Sequence, residues 1–334
     1  MSQHYQVVIL ELLQHYFSDK KVSKVEAIQS LWSGYGEIAR YWVPSKKSSY
    51  VVKAVNPNAG SQHPRGWNTS ISHQRKMNSY QNEQLFYQHY SPMTNALCRV
   101  PICYAVGKSN QVSWLIMEDL DQSGFINRCD HAPLSMIKLG IRWLAYFHAR
   151  FLEHQTTKLW PIGTYWHLKT RPDEFQKMSK GELKNAAFDI DKALNAASHQ
   201  ALLHGDAKLA NLCFTTDNDN LAAVDFQYVG KGIGMKDVAY FLGSCLDERG
   251  LFEHAEDLLN QYFGFLLEAI NYYQISYDFD SLEKQWRTLY PLAWADFNRF
   301  LSGWAVEHYK LNDYMKLQTE LALHYLSNQH KTGS

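Results

Sequence analysis

Four polar residues within residues 203–227 (LHGDAKLANLCFTTDNDNLAAVDFQ) stand at the spacing that phosphoryl transfer requires: His204, Asp206, Asn211 and Asp225. Such a transfer asks the protein for little covalent chemistry. It needs a carboxylate that orients a hydroxyl and takes its proton, and oxygen ligands for a Mg²⁺ that bridges phosphates. Asp206 suits the first role, Asn211 and Asp225 the second. Each fragment alone is weak, because Gly and Asp favour turns and an isolated Asp-Phe is uninformative. The set is stronger: His-x-Asp, an Asn five residues after the Asp, and an apolar run ending in Asp-Phe fourteen residues later.

Three apolar runs flank these residues at 201–203, 212–214 and 221–224 and read as strands, so strand, loop, hairpin and carboxylate follow one another closely. On these residues the segment resembles the protein-kinase-like superfamily. Within it, the chain is similar to the small-molecule kinases, the aminoglycoside phosphotransferase and choline kinase group, and especially to the ecdysteroid-kinase-like branch. His204-Gly205-Asp206 and Asp225-Phe226-Gln227 carry that likeness, since protein kinases place Arg where Gly205 stands and Gly where Gln227 stands. The resemblance implies an α+β, bilobal protein-kinase-like fold, with a small antiparallel-sheet N-lobe over residues 1–118 and a larger, mainly helical C-lobe over 119–334. It also implies ATP and Mg²⁺ as cofactors and a small-molecule alcohol as acceptor. Lys208 falls where Ser/Thr protein kinases keep a lysine against the transferred phosphate, which implies a catalytic helper. A solvated loop lysine is the plain alternative.

The elements that must position this site can be read outward from it. Residues 25–55 form a β-meander pattern, with strands at 25–32, 38–43 and 50–55 and turns at 33–36 and 44–49. In a kinase-like N-lobe the first turn covers the ATP phosphates, and Gly34 and Gly36 would let backbone N–H groups approach them. An ordinary glycine-containing hairpin fits the same residues. Lys53, flanked by Val and Ala inside a strand, needs a partner for its charge, and the resemblance offers the α- and β-phosphates. Residues 68–90 read as a helix capped by Asn68, Thr69 or Ser70. The resemblance makes Glu83, just before Phe86-Tyr87, the partner of Lys53. Strands at 102–106 and 112–117 lead into Glu118-Asp119-Leu120. There the resemblance places the hinge that binds adenine through its backbone, at Met117, Glu118 and Leu120.

Beyond the hinge, residues 134–152 have helical apolar spacing, and His148 within them reads as a packed core histidine. Residues 163–174 are distinctive, but no role follows from their sequence. After Gln227 the chain reaches Asp237 within ten residues. That leaves no room for the activation segment with which a protein kinase holds a peptide. Asp237 resembles the family aspartate that caps a helix and holds the catalytic loop. Residues 251–334 read as several helices that carry the acceptor pocket. Trp294, Phe297, Leu301 and Trp304 share one face and read as core, whereas Asp296, Arg299 and Glu307-His308 lie off it and could reach a substrate. Eleven acidic against six basic side chains in this region permit a cationic amino alcohol, which an aromatic cage would also suit. The ecdysteroid-kinase-like resemblance points instead to a bulky, largely apolar alcohol.

Composition excludes other classes. Zero net charge and a pI near 7.2 argue against nucleic acid or an anionic membrane as partner. Five cysteines without metal-ligand spacing read as reduced thiols of a cytoplasmic protein. Residues 1–19 lack a secretory signal; Val7, Val8, Leu10, Leu12, Leu13 and Phe17 read there as one side of a helix. No run approaches the ~20 apolar residues of a membrane span. The oligomeric state is left open. A catalytically silent nucleotide-binding module acting through a partner is the alternative function, and the complete catalytic set argues against it.

Overall fold

Residues 48–55 alternate their side chains across a pleated strand, and that alternation decides which of them meet the core and which meet the site. The computed structural model describes residues 2–31, 34–57, 70–109 and 111–332. Helix α1 (Ser2–Tyr16) precedes strands β1 (Ser23–Ser30), β2 (Gly36–Val43) and β3 (Ser48–Val55). Helix α2 (Ser70–His89) and strands β4 (Cys103–Ser109) and β5 (Val112–Glu118) follow. The strands form one antiparallel sheet ordered β1-β2-β3-β5-β4. Successive side chains point to opposite faces. Val52 and Ala54 therefore pack with Ala39, Tyr41, Val43 and Ile116 against Ile9 and Leu13 of α1. Lys53 faces the other way and meets Glu83 of α2.

The sheet departs from its sequence pattern at the edge. Strand β1 begins at Ser23 and leaves Val25 57% exposed, with register shifts between Lys24 and Glu26 and between Ala27 and Gln29. Irregular edges of this kind resist pairing with a second sheet. In α1 the buried pair is Ile9 and Leu13, one helical turn apart, and Val7 is exposed. Of the expected stripe, Leu13 is in the sheet-side cluster and Leu10, Leu12 and Phe17 pack against it, whereas Val7 lies outside it and Ile9 takes its place. Trp32 at the end of the first expected strand, Ser33 at the start of the turn, and the expected helix caps Asn68 and Thr69 lie outside the described residues.

The second half is mostly helical. It comprises α3 (Leu134–Arg150), three short helices α4 (Pro172–Lys177), α5 (Glu182–Asn185) and α6 (Ala187–Asn195), and strands β6 (Ala201–Leu203), β7 (Leu212–Phe214), β8 (Leu221–Ala223) and β9 (Gly230–Gly232). Helices α7 (Met235–Cys245), α8 (Glu248–Tyr272), α9 (Phe279–Trp304) and α10 (Asp313–Thr332) complete it. Strand β6 pairs with β9 and β7 with β8. Helix α3 packs on α8, and α7 and α10 pack on α9. The α+β, two-lobed kinase-like fold expected from the sequence is therefore borne out. Its main core crosses between the lobes, since Phe86 and Tyr87 of α2 and Leu115 of β5 share one apolar cluster with Trp143, Phe147 and Phe226. No helix among the described residues is long and apolar enough to cross a membrane, and the five cysteines are free thiols.

Candidate active site

A cavity of about 1220 Å³ lies between the sheet and the helical lobe. Asp206, Lys208, Asn211 and Asp225 line it from below, Lys53 and Glu83 from above, and Met117, Glu118 and Leu120 from the connecting edge. Gly34 and Gly36 are not among its lining residues. Gly36 answers to the sheet instead: a Cβ there would overlap the Ala54 carbonyl oxygen on the paired strand β3.

The loop carrying Asp206 is held from several sides. Gly205 has φ +81°, and a Cβ on it would overlap the Tyr228 carbonyl and come within 2.9 Å of Thr164 N. This is why the arginine of protein kinases cannot occupy the position. Asp237, in the first turn of α7, accepts hydrogen bonds from the backbone N–H groups of His204 (2.6 Å) and Gly205 (3.0 Å). The cap residue of that helix is Gly234, not Asp237. His148 is fully buried between Asp237 (3.1 Å) and the Tyr262 hydroxyl (2.7 Å), a structural histidine. His204 donates from Nε2 to the Val224 carbonyl (3.1 Å) and accepts from Asp206 N–H at Nδ1 (3.3 Å). Burial lowers its pKa, in keeping with that neutral tautomer.

Three side chains converge on the Asp206 carboxylate. Tyr240 donates to Oδ1 at 3.0 Å, and Lys208 Nζ and Asn211 Nδ2 reach Oδ2 at 3.1 and 3.3 Å. Asn211 Nδ2 also donates to the Asp206 carbonyl at 2.9 Å. Burial raises the pKa of Asp206 above the ordinary aspartate value, with Lys208 opposing. Burial would depress Lys208, but Asp206 and Asp225 outweigh it and hold the ammonium above its usual range.

Asp225 has the unusual φ of +69° for a residue with a side chain. Its Oδ1 accepts from Gln227 Nε2 at 2.6 Å and lies 3.5 Å from Lys53 Nζ. Lys53 pairs at 2.6 Å with Glu83, both almost fully buried. Burial works against that charge, yet the two carboxylates outweigh it and raise the pKa of Lys53. Gln227 is in turn clamped by α2. Its Oε1 accepts from Lys76 (3.1 Å) and Ser79 (3.2 Å), and its carbonyl accepts from Asn82 Nδ2 (3.2 Å) and Trp160 Nε1 (2.9 Å). Phe226 stacks on Phe86 of the same helix at 4.1 Å. At the connecting edge, the Glu118 carboxylate binds Arg99 Nη2 (2.5 and 2.6 Å) and the Ile102 N–H (2.9 Å), so its side chain pins the strands while Met117 and Leu120 present apolar surface.

Residues 163–174 brace the loop from behind. Thr164 N–H donates to the Tyr228 carbonyl (3.1 Å), Tyr165 N–H to the Gly205 carbonyl (3.2 Å), and Arg171 Nε to the Tyr165 carbonyl (2.6 Å). Trp166 Nε1 reaches Asp296 at 3.1 Å, and Arg299 Nη2 donates to the Trp166 carbonyl at 2.7 Å. Asp296 and Arg299 therefore do not face a substrate. They are 1% and 0% exposed, paired with each other at 2.8 Å, and Asp296 also meets Lys236 at 3.2 Å. The α9 stripe is core as expected, with Trp294, Phe297 and Leu301 in the main apolar cluster and Trp304 packed against it, and Phe297, Leu301 and Trp304 also wall the cavity. Of the charged side chains in residues 251–334, Lys310 alone lines it among the described residues; His308 does so too, and Glu307 does not. Sequence reasoning missed Tyr240, Gln227 as a clamp, and Lys310. Tyr240 carried a readable signal, lying three residues beyond Asp237 on one helix face.

The donor chemistry fits a hard cation shared with phosphates. Asn211 and Asp225 offer oxygens to the cavity, and no cluster of three or more His, Cys, Asp or Glu able to hold a metal exists among the described residues. Mg²⁺ is held in just that way, by one or two protein oxygens together with substrate phosphates, and does not need an all-protein cage.

Residues 44–158 match the Ecdysteroid kinase-like family. Residues 163–299 match a second family, DUF1679, whose description reads "Uncharacterized oxidoreductase dhs-27". The first match includes Lys53, Glu83 and the hinge but none of residues 203–227. It thus bears out, from a separate part of the chain, the resemblance to protein-kinase-like small-molecule kinases. No curated protein matches the chain. Among solved structures, an aminoglycoside-3'-phosphotransferase of type VIII aligns at 15% identity over 85% of this chain and 99% of its own, with a TM-score of 0.42. An ethanolamine kinase of Plasmodium vivax aligns at 10% identity over 93% of this chain and 86% of its own, with a TM-score of 0.47. Both scores are low, and the fold rests on the chain's own sheet, cleft and helices.

Proposed function

We propose that the chain transfers the γ-phosphoryl group of Mg²⁺-bound ATP to a hydroxyl of a small molecule. The observation that carries this reading is the convergence of Asp206, Lys208, Asn211, Asp225 and the Lys53–Glu83 pair on one cavity whose far end is walled by aromatic side chains. Mg²⁺-bound ATP would supply the phosphoryl group and offset its charge. Asn211 and Asp225 would hold the ion. Lys53, kept charged by Glu83 and Asp225, would hold the phosphates, and the edge formed by Met117, Glu118 and Leu120 would receive adenine. Asp206 orients the acceptor hydroxyl and takes its proton, and Lys208 and Tyr240 fix the carboxylate for that task. Lys208 also faces the charge that develops on the transferred group. The free thiols suit a cytoplasmic setting.

The test is Asp206→Asn. Mg²⁺-bound ATP should still raise the melting temperature of this variant, while ADP release with an accepted alcohol falls on the order of 10²-fold or more. Sterols, amino alcohols, aminosugars and aminoglycosides form the acceptor panel. Undiminished turnover in the variant removes the mechanism. Stabilisation of the wild type by the nucleotide with no ADP release across the panel would favour a silent binding module.

A further inference from the structure

The acceptor end of the cavity contains a cation with no counter-charge. Lys310 lies in the connection between α9 and α10 and is 8% exposed. Its ammonium sits 4.9 Å from the ring centre of Tyr240, 5.8 Å from that of Phe297 and 5.9 Å from that of Tyr309, all three of which line the cavity. Lys53, Lys208 and Arg171 of the lining are paired with Glu83, Asp206 and Glu174, and Lys76 and Arg75 donate instead to the Gln227 side chain and the Thr170 carbonyl. The Lys310 ammonium makes neither a hydrogen bond nor an ion pair among the described residues.

Burying an ammonium without a partner is unfavourable, and aromatic faces recover only part of the loss. Burial depresses Lys310 to about 8, with Asp206 opposing. The surrounding wall is aromatic: Tyr165, Tyr228, Tyr240, Phe297, Phe300 and Trp304. Asp206 is engaged by Lys208 and Tyr240, so a cationic acceptor would meet Lys310 and find no free carboxylate. Tyr240 spans the gap, its hydroxyl on Asp206 at 3.0 Å and its ring beneath the ammonium.

We propose that Lys310 receives an anionic group, a carboxylate or sulfate, on an acceptor whose body packs against the aromatic wall and whose hydroxyl reaches Asp206. The inference rests on the phosphotransferase reading for the fate of that hydroxyl, but not for binding. Of the two acceptor classes left open by the sequence it disfavours the cationic amino alcohol and adds an acid group to the largely apolar alcohol: the acceptor is a hydroxy acid or sulfate with an apolar body.

Calorimetric titration without nucleotide tests it on the wild type, Lys310→Met and Lys310→Arg. The probes are cholic acid, ω-hydroxydodecanoic acid and para-hydroxymethylbenzoic acid, each against its methyl ester. At least one acid should bind the wild type about 10-fold or more tighter than its ester, as a charge-assisted contact provides. Lys310→Met should abolish that preference and Lys310→Arg retain most of it. With Mg²⁺-bound ATP present, Lys310→Met should raise KM for the acid more than it lowers kcat. Acids that bind no better than esters throughout, including no binding by any acid, overturn the proposal, as does a preference that survives Lys310→Met. An equal loss of kcat for acid and ester, without a KM change, also overturns it and assigns Lys310 to the transferred phosphoryl group. Stabilisation of Lys310→Met by Mg²⁺-bound ATP shows that the variant is folded. Acids that bind through Lys310 yet never elicit ADP release would leave the anion site standing and remove the phosphotransferase reading.

Discussion

At position 205 a side chain has nowhere to go. The backbone stands at φ +81°, and a Cβ would press on the Tyr228 carbonyl, itself fixed by the Thr164 N–H. Gly205→Ala should therefore lower unfolding stability by about 2 kcal/mol or more, combining left-handed strain with backbone overlap. Urea titration measures it, and a loss within a few tenths of a kcal/mol would show that the loop relaxes freely. The same loop sets Asp206 one tyrosine away from Lys310, and the two ends answer differently to pH. Lys310 is depressed to about 8 by burial, and the titratable groups acting on it are Asp206, Lys208 and Cys245, whose thiol burial keeps neutral. A lysine is charged below its pKa and neutral above it, whereas a carboxylate ligand stays ionised throughout. The affinity for a hydroxy acid should accordingly hold steady below about pH 8 and weaken as pH rises beyond it, while that for the methyl ester stays flat. Titrations between pH 6.5 and 9.5 decide the matter, and an acid affinity that rises with pH would reverse the sign of the argument.

Helix α2 is the element on which the nucleotide end depends. It supplies Glu83 to Lys53, and through Lys76, Ser79 and Asn82 it grips the Gln227 amide and carbonyl. Gln227 Nε2 passes that grip to the Asp225 carboxylate at 2.6 Å. The glutamine where protein kinases have glycine thus couples the helix to the proposed metal-binding carboxylate with no activation segment between them. Gln227→Ala should keep the fold but free the carboxylate, lowering kcat/KM for Mg²⁺-bound ATP about 10-fold, as loss of a charge-assisted contact implies. Steady-state kinetics with a saturating acceptor checks this, and unchanged constants would mean that Asp225 needs no such tether. The strands were legible because a period-2 pattern is local, and the helix because a capping signal is. The acceptor wall was not. Phe297 and Leu301 share a face with Trp294, and nothing local tells an apolar side chain that meets other core residues from one that meets a cavity. Asp296 and Arg299, polar and off that stripe, read as able to reach a substrate because the groups that bury them, Trp166 and Lys236, come from distant parts of the chain.

For the molecule as a whole, the cleft suggests two independent bodies, but the packing contradicts that. Phe226 is fully buried, stacked on Phe86 at 4.1 Å and flanked by Phe147, Trp143 and His204. Phe86 belongs to α2, which rides with the sheet, so the largest apolar cluster has members from both lobes. The face of the sheet covered by α1 forms a separate, smaller cluster around Val52 and Ile116. A core shared in this way links the two unfolding equilibria, and calorimetry of the wild type should show a single transition in which strand and helix signals disappear together. Phe226→Ala empties the junction. It should cost about 3–5 kcal/mol and, because the loss falls where the lobes meet, broaden or split the transition so that the sheet and α1 melt apart from the helical lobe. Phe226→Leu, which keeps apolar volume there, should retain one transition at a lower temperature. Two well-separated transitions in the wild type would mean that the cleft is a true boundary.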